Sequence, residues 1–214
     1  MNTLVLLLSA SAVFAAGPVT DSHTYDLAAN GVLTIKNAAG DVSIEAWDQP
    51  RVELTVIKSA ADTKLLDRIQ VRAEGGASAL TIVSSYPKHR RIERPFRWSL
   101  DFNLEYRIKA PRTAKLVIDE YTGQVNVIGM SGDIRASDRN GDIFLLMPEG
   151  SYSLRAKTGI GQIVSDFPGR QARSPLLFGH QFTGSAESGR RLDLQAGIGT
   201  VTVLKMRRPD LEIR

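Results

Sequence analysis

Between Gly123 and Val203 one short pattern returns six times, a glycine, a polar residue, then alternating apolar residues, and it limits the available folds more than anything else in the chain. The copies are Gly123-Gln-Val-Asn-Val127, Gly132-Asp-Ile-Arg-Ala136, Gly141-Asp-Ile-Phe-Leu145, Gly150-Ser-Tyr-Ser-Leu154, Gly161-Gln-Ile-Val-Ser165 and Gly199-Thr-Val-Thr-Val203. The first four glycines lie 9 residues apart and the next step is 11, so Gly123 to Gly161 spans 38, the same interval as Gly161 to Gly199. At that offset Leu116, Leu154 and Leu192 superimpose, as do Val125, Ile163 and Val201. Alternation puts the apolar side chains on one face of a strand, and glycine tolerates the positive φ of a corner. One such strand cannot bury its face alone, so segments must stack. The expectation is an all-β chain, a β-solenoid or β-roll of about 18 to 20 residues per coil, with Gly40, Gly123, Gly132, Gly141, Gly150, Gly161 and Gly199 as structural corners.

The amino-terminal side reads as a mixed antiparallel portion. Gly31-Val-Leu-Thr-Ile35 and Gly40-Asp-Val-Ser-Ile44 form an early hairpin with the same 9-residue glycine spacing, followed by the alternating strand Val52-Glu-Leu-Thr-Val56. The spacing of Ala61, Leu65, Leu66 and Ile69 predicts one short helix near residues 60–68. Ile69–Ala73 and Leu80–Val83 flank the turn Glu74-Gly-Gly-Ala-Ser78 as a hairpin. Leu100, Phe102, Leu104, Tyr106 and Ile108 share one face of a clear strand, and Lys115–Ile118 is a short strand leading into the repeat. Arg170–Pro175 interrupts the pattern, which Gly179, Gly189 and Gly199 resume at ten-residue steps.

The run from Leu4 to Ala16 is apolar but shorter than the ~20 residues of a membrane-spanning helix. Small residues at Val13, Ala15 and Ala16 suit a signal-peptidase site, although Met1-Asn2-Thr3 carries no Lys or Arg. The organisation expected is a signal peptide over 1–16, a polar lead-in over 17–30, one domain over 31–204 and a basic tail over 205–214. That places the mature chain outside the cytoplasm, in the periplasm, secreted or at the cell surface. The chain has no cysteine, which excludes disulfides, thiolate metal sites and a lipoprotein anchor. The net charge of +4 is mild and permits attraction to anionic surfaces without demanding it.

No catalytic constellation emerges. His23, His89 and His180 lie far apart with no metal-ligand spacing, and neither a Gly-x-Ser-x-Gly elbow nor a phosphate-cradling Gly-x-x-x-x-Gly-Lys occurs. Ser131 and Ser188 sit in turn-like contexts. In the expected register Asp142 lies over Gln124 and Gln162, and Asp133 over Ser151, which makes no stacked acidic row. Asp is also a favoured turn residue. Only Asn140-Gly-Asp142 approaches a calcium-roll repeat, so neither a metal nor a cofactor is expected. The most suggestive binding feature is the basic stretch Lys88, Arg90, Arg91, Arg94 and Arg97, interleaved with Tyr86, Phe96 and Trp98. Such groups hold anionic glycans or lipid headgroups, or pack as a solvated loop; a secretory signal disfavours nucleic acid. Lys205-Met-Arg-Arg208 is a second, weaker basic patch.

Taken in order, Gly40-Asp-Val-Ser-Ile44 with Trp47-Asp48, Leu104-Glu-Tyr-Arg-Ile-Lys-Ala-Pro111, the glycine ladder and Leu192-Asp-Leu-Gln-Ala-Gly-Ile-Gly-Thr-Val201 resemble the bacterial putative-adhesin family over residues 30–204. The resemblance implies an extracytoplasmic, solenoid-like domain and brings no catalytic motif. The function expected is non-catalytic binding or scaffolding in the bacterial envelope, with an anionic glycan, a lipid headgroup or a surface protein as partner. A carbohydrate-active enzyme on a β-helix and an accessory envelope-stress sensor are the alternatives.

Overall fold

The computed structural model describes residues 18–37, 39–60, 63–85, 102–173, 179–184 and 189–207. The strands are β1 (Val19–Asp26), β2 (Val32–Asn37), β3 (Asp41–Trp47), β4 (Arg51–Ala60), β5 (Gln70–Gly76), β6 (Ala79–Ser85), β7 (Phe102–Pro111) and β8 (Lys115–Ile128), then β9 (Ile134–Met147), β10 (Tyr152–Ile160), β11 (Ile163–Ser165), β12 (Arg170–Arg173), β13 (His180–Gly184), β14 (Arg190–Ile198) and β15 (Val201–Lys205). The expected helix is a single turn, α1 (Thr63–Leu66), which tucks Leu66 under β4. No helix among the described residues is long and apolar enough to cross a membrane.

All the strands belong to one large mixed sheet, and that sheet does not close on itself. Its backbone is a parallel stack of bent rungs. β8 and β9 run 14 residues each, straight through Gly123 and Gly141, so Lys115–Ile118 is the start of a long strand and not a short strand by itself. Their register pairs Leu116 with Ile134, Gly123 with Gly141 and Val125 with Ile143. β2 and β3 together form a third rung on the other side of β8. These two strands do not pair with each other as the expected hairpin requires, because Gly40 turns the chain onto a different arm of the sheet; β2 joins β6 and β8, and β3 joins β7 and β8. The β5–β6 hairpin is antiparallel as expected, and the other arm is extended by β4, antiparallel to β7, and then by β1, antiparallel to β4.

The 38-residue register identifies true neighbours between the last two rungs, as at Leu154 and Leu192, but only equivalent positions between β8 and β10, as at Leu116 and Leu154. Leu116, Ile134, Leu192 and Leu154 form one column in that spatial order, because the β14–β15 rung lies between β9 and the β10–β11 rung. Thr200 therefore separates Asp142 from Gln162, and the expected contact between those two is replaced. The interruption at Arg170 becomes β12, which with β13 closes the far end antiparallel to β10.

The two arms share one core. Leu33, Ile35, Leu116, Ile118, Ile134, Leu192 and Leu154 from one arm bury against Val42, Ile44, Val125, Val127, Ile143, Val201 and Ile163 from the other. Alternation is what allows this, since each arm gives every second side chain to the interior. At the bend the glycines stack: a Cβ on Gly123 would strike the Gly40 carbonyl, one on Gly141 the Gly123 carbonyl, one on Gly199 the Gly141 carbonyl and one on Gly161 the Gly199 carbonyl. Gly40 and Gly123 also hold φ of 117° and 150°, a region that side chains rarely enter. Gly132 packs against the Ala114 carbonyl in the turn between β8 and β9, whereas Gly150 approaches only the Tyr152 ring.

Candidate functional site

Three sets of polar groups could carry function: the aspartates beside the corner glycines, a polar column inside the bend, and the outer face of the stack. The aspartates are bound to backbone. Asp41 Oδ1 accepts from the Gln124 amide at 3.0 Å, Asp142 Oδ1 from the Thr200 amide at 2.6 Å and Asp133 Oδ1 from the Arg191 amide at 2.9 Å. Each carboxylate thus clamps its own rung to the next. Asp133 reaches Arg191 and not the segment at Ser151, again because the β14–β15 rung intervenes.

The polar column occupies the last inward position before the bend. In rung order it holds Asn37, Glu120, Asp138, Ala196 and Thr158. Glu120 is 2% exposed and Asp138 1%. Both Glu120 oxygens and Asp138 Oδ2 are buried without a hydrogen-bond partner, while Asp138 Oδ1 accepts from the Asn140 amide at 3.0 Å. Burial pushes the Glu120 carboxyl up to about 9, against the opposing pull of Asn37, and the neighbouring Asp138 charge adds to the rise. Burial likewise pushes Asp138 up to about 6, with the Asn140 amide pulling the other way and Asp142 contributing. A buried carboxyl without a cation beside it favours its protonated form.

On the outer face, rows of side chains cross the strands at the ~4.8 Å strand spacing. One row holds Lys36, Asp119, Ser137, Gln195, Lys157 and Gln181; the next places Asp193 between Arg135 and Arg155. Where these rows reach the bend, Gly159 and Gly197 bring no side chain, and a shallow hollow of about 370 Å³ opens over them. Its side-chain walls are Ser137, Arg139, Lys157, Gln181 and Gln195. The Arg139 guanidinium lies 5.3 Å from the centre of the Tyr121 ring, which is 49% exposed. Ile160 and Ile198, adjacent in register and both about half exposed, continue an apolar rim. The hollow thus offers two cations and three neutral hydrogen-bonding side chains, with the Tyr121 ring beside Arg139 outside its lining.

Lys88, Arg90, Arg91, Arg94, Arg97 and Trp98 lie outside the described residues. His23 packs near Tyr25, and His180 Nδ1 lies 3.4 Å from Gln171 Nε2, at separate places on the sheet. Among the described residues, no three His, Cys, Asp or Glu side chains converge as metal ligands would. Lys205 ends β15, where its amide donates to Asp166 Oδ2 and its ammonium lies 5.0 Å from the Phe167 ring centre, so that part of the basic tail is built into the sheet. Glu120 and Asp138 were legible in principle. Carrying the alternation of Leu116–Ile118 and Ile134–Ala136 two residues further puts both carboxyls on the inward face.

The architecture is that of an all-β protein with an open, bent, mostly parallel stack, and one solved structure superposes on it over most of its length. A putative cell adhesion protein from Clostridium sporogenes superposes with a TM-score of 0.55 at 12% identity, over 88% of this chain and 100% of that one. A putative adhesin from Bacteroides fragilis matches with a TM-score of 0.33 at 10% identity, over 88% of this chain and 97% of that one. A putative lipid binding protein from Parabacteroides distasonis gives a TM-score of 0.31 at 13% identity, over 89% and 97%. No protein-family model and no curated protein matches the sequence. The resemblance to putative adhesins therefore has a counterpart in structure, and at these identities the likeness is one of fold.

Proposed function

We propose that this chain is a non-catalytic binding or scaffold module of the bacterial envelope, a solenoid-like stack of rungs working outside the cytoplasm, and that it holds an anionic envelope glycan in the hollow over Gly159 and Gly197. The observation that carries this reading is how the acidic groups are disposed. Around the hollow itself the outward side chains are Arg139, Lys157, Gln181 and Gln195, and the one acidic residue in its lining, Asp138, is buried. Asp41, Asp133 and Asp142 are bound to backbone amides, and Asp119 and Asp193 stand on the outer face away from that lining. General acid–base chemistry on a sugar needs carboxyl groups that reach the substrate. A shallow hollow walled by cations and amides suits retention of a carboxylate-bearing polymer. The apolar leader Leu4–Ala16 and the fold shared with a protein described as a putative cell adhesion protein support the envelope setting. The basic stretch Lys88 to Arg97 is proposed as a second contact for the same polymer.

Binding of polygalacturonate, with neutral dextran as control, tests the reading. Lys157→Ala together with Arg139→Ala is expected to weaken retention about tenfold, as loss of two partly solvated charge contacts implies. A separate variant with Arg90, Arg91, Arg94 and Arg97 changed to Ala probes the basic stretch. Equal retention by wild type and both variants would sink the glycan reading, and preferential binding to anionic vesicles would redirect it to lipid headgroups.

A further inference from the structure

The interior of the bend holds two carboxyls that the binding face does not use. Glu120 and Asp138 are direct register neighbours on adjacent parallel strands, point to the same interior, and hold three oxygens that make no well-formed hydrogen bond, although Asn37 and the Tyr121 and Thr122 amides stand close to Glu120. The groups around them are Asn37 from β2, itself bonded to Ser84 of β6, then Ala196 of β14, Thr158 of β10 and the corner amides of Tyr121, Thr122 and Asn140. Asp142, just past the corner, adds a further negative charge on Asp138, and among the described residues the charges that act on the two carboxyls are acidic. The space admits little else. A Cβ on Gly141 would meet both the Gly123 carbonyl and Asp138 Oδ2, so the pair is sealed under close-packed backbone.

We propose that Glu120 and Asp138 form a proton-operated latch, which keeps the glycine corner closed while the pair carries at most one negative charge and loosens it when both ionise. Two like charges at strand spacing, without counter-charge, repel strongly in a dry interior. The strain falls on the corner, since the backbone at 138–141 is held by Asp138 Oδ1 to the Asn140 amide and by Thr122 Oγ1 to the Asn140 carbonyl. Ser137 and Arg139 flank Asp138 in sequence and wall the hollow, so a loosened corner moves the binding face. This last link rests on the glycan reading above; the latch itself does not.

The test uses the full chain and follows hydrogen exchange of amides 137–141 from pH 6 to 9, corrected for base-catalysed chemical exchange. One extra proton held by the closed state predicts a loss of protection of up to about tenfold per pH unit in wild type. Glu120→Gln is expected to make the profile flat, and Glu120→Met, should the first variant not fold, must do the same, because either removes the proton that the closed state retains. A flat wild-type profile, or a variant as steep as wild type, overturns the proposal. So does a corner protected at pH 8 by calcium chloride but not in EDTA, because the pair would then be a cation site. Polygalacturonate retention is measured at pH 6 and 9 in parallel; wild type should lose it at pH 9 and Glu120→Gln keep it. If neither protein binds at either pH, the glycan reading fails, while the exchange profiles still decide the latch.

Discussion

Gly123 and Gly141 are held by geometry that no other residue reproduces. Each added methyl would overlap a carbonyl of the preceding rung, and at Gly123 the φ of 150° adds strain. Gly123→Ala or Gly141→Ala is expected to cost about 3 kcal/mol, from overpacking and backbone strain together, and to lower Tm by roughly 10 °C. Gly150→Ala should cost much less, since the nearest atoms belong to the Tyr152 ring at 3.2–3.4 Å and not to backbone. Thermal melts of the three variants check the contrast. Here the sequence was informative in one respect and silent in another: the spacing marks all these positions alike, but only the stacked carbonyls distinguish a corner glycine from one in an open turn.

At the level of the strand, the aspartate clamps fix how rungs meet. Asp142→Ala removes the acceptor of the Thr200 amide and should cost about 1 kcal/mol, a typical net hydrogen bond at a partly exposed site. Asp133→Ala should cost the same through Arg191, and urea denaturation would show both as a lowered midpoint with unchanged slope. Strand existence was readable from alternation, as at Phe102–Ile108. Pairing was not, because β2 and β3 look like a hairpin in sequence and join different arms only through the bend at Gly40. The hollow was equally hidden. It depends on Gly159 and Gly197 becoming neighbours across a 38-residue gap while Lys157 and Gln195 flank them from adjacent rows.

For the whole molecule, the buried acids set the pH dependence of stability. Glu120 holds its proton up to about 9 in the folded chain against an ordinary value of 4.5. Its stabilising contribution is therefore full below pH 4.5 and is lost as the pH rises toward 9, by up to about 1.4 kcal/mol per unit. Asp138, ordinarily at 3.8 and raised to about 6, acts in the same sense over the lower part of that range. The chain should melt highest in mild acid and lose Tm from pH 5 to 9, whereas Glu120→Gln should lose less over that interval. Composition gave no sign of this, since 23 acidic residues look unremarkable until two of them are found inside the bend.

The order of the rungs also governs how the chain reaches its fold. The β10–β11 rung is made before its parallel partner, because β14–β15, which separates it from β9, is carried by the last part of the described chain. Until that segment arrives, residues 152–165 face an open β9 edge whose column of apolar side chains they match equally well. A nascent chain can therefore pair the wrong neighbours, and reaching the native order requires that a wedge be driven between them. Pulse-labelled refolding should show the β10 amides gaining their final protection no earlier than those of β14, with a slow phase from chains that paired out of turn.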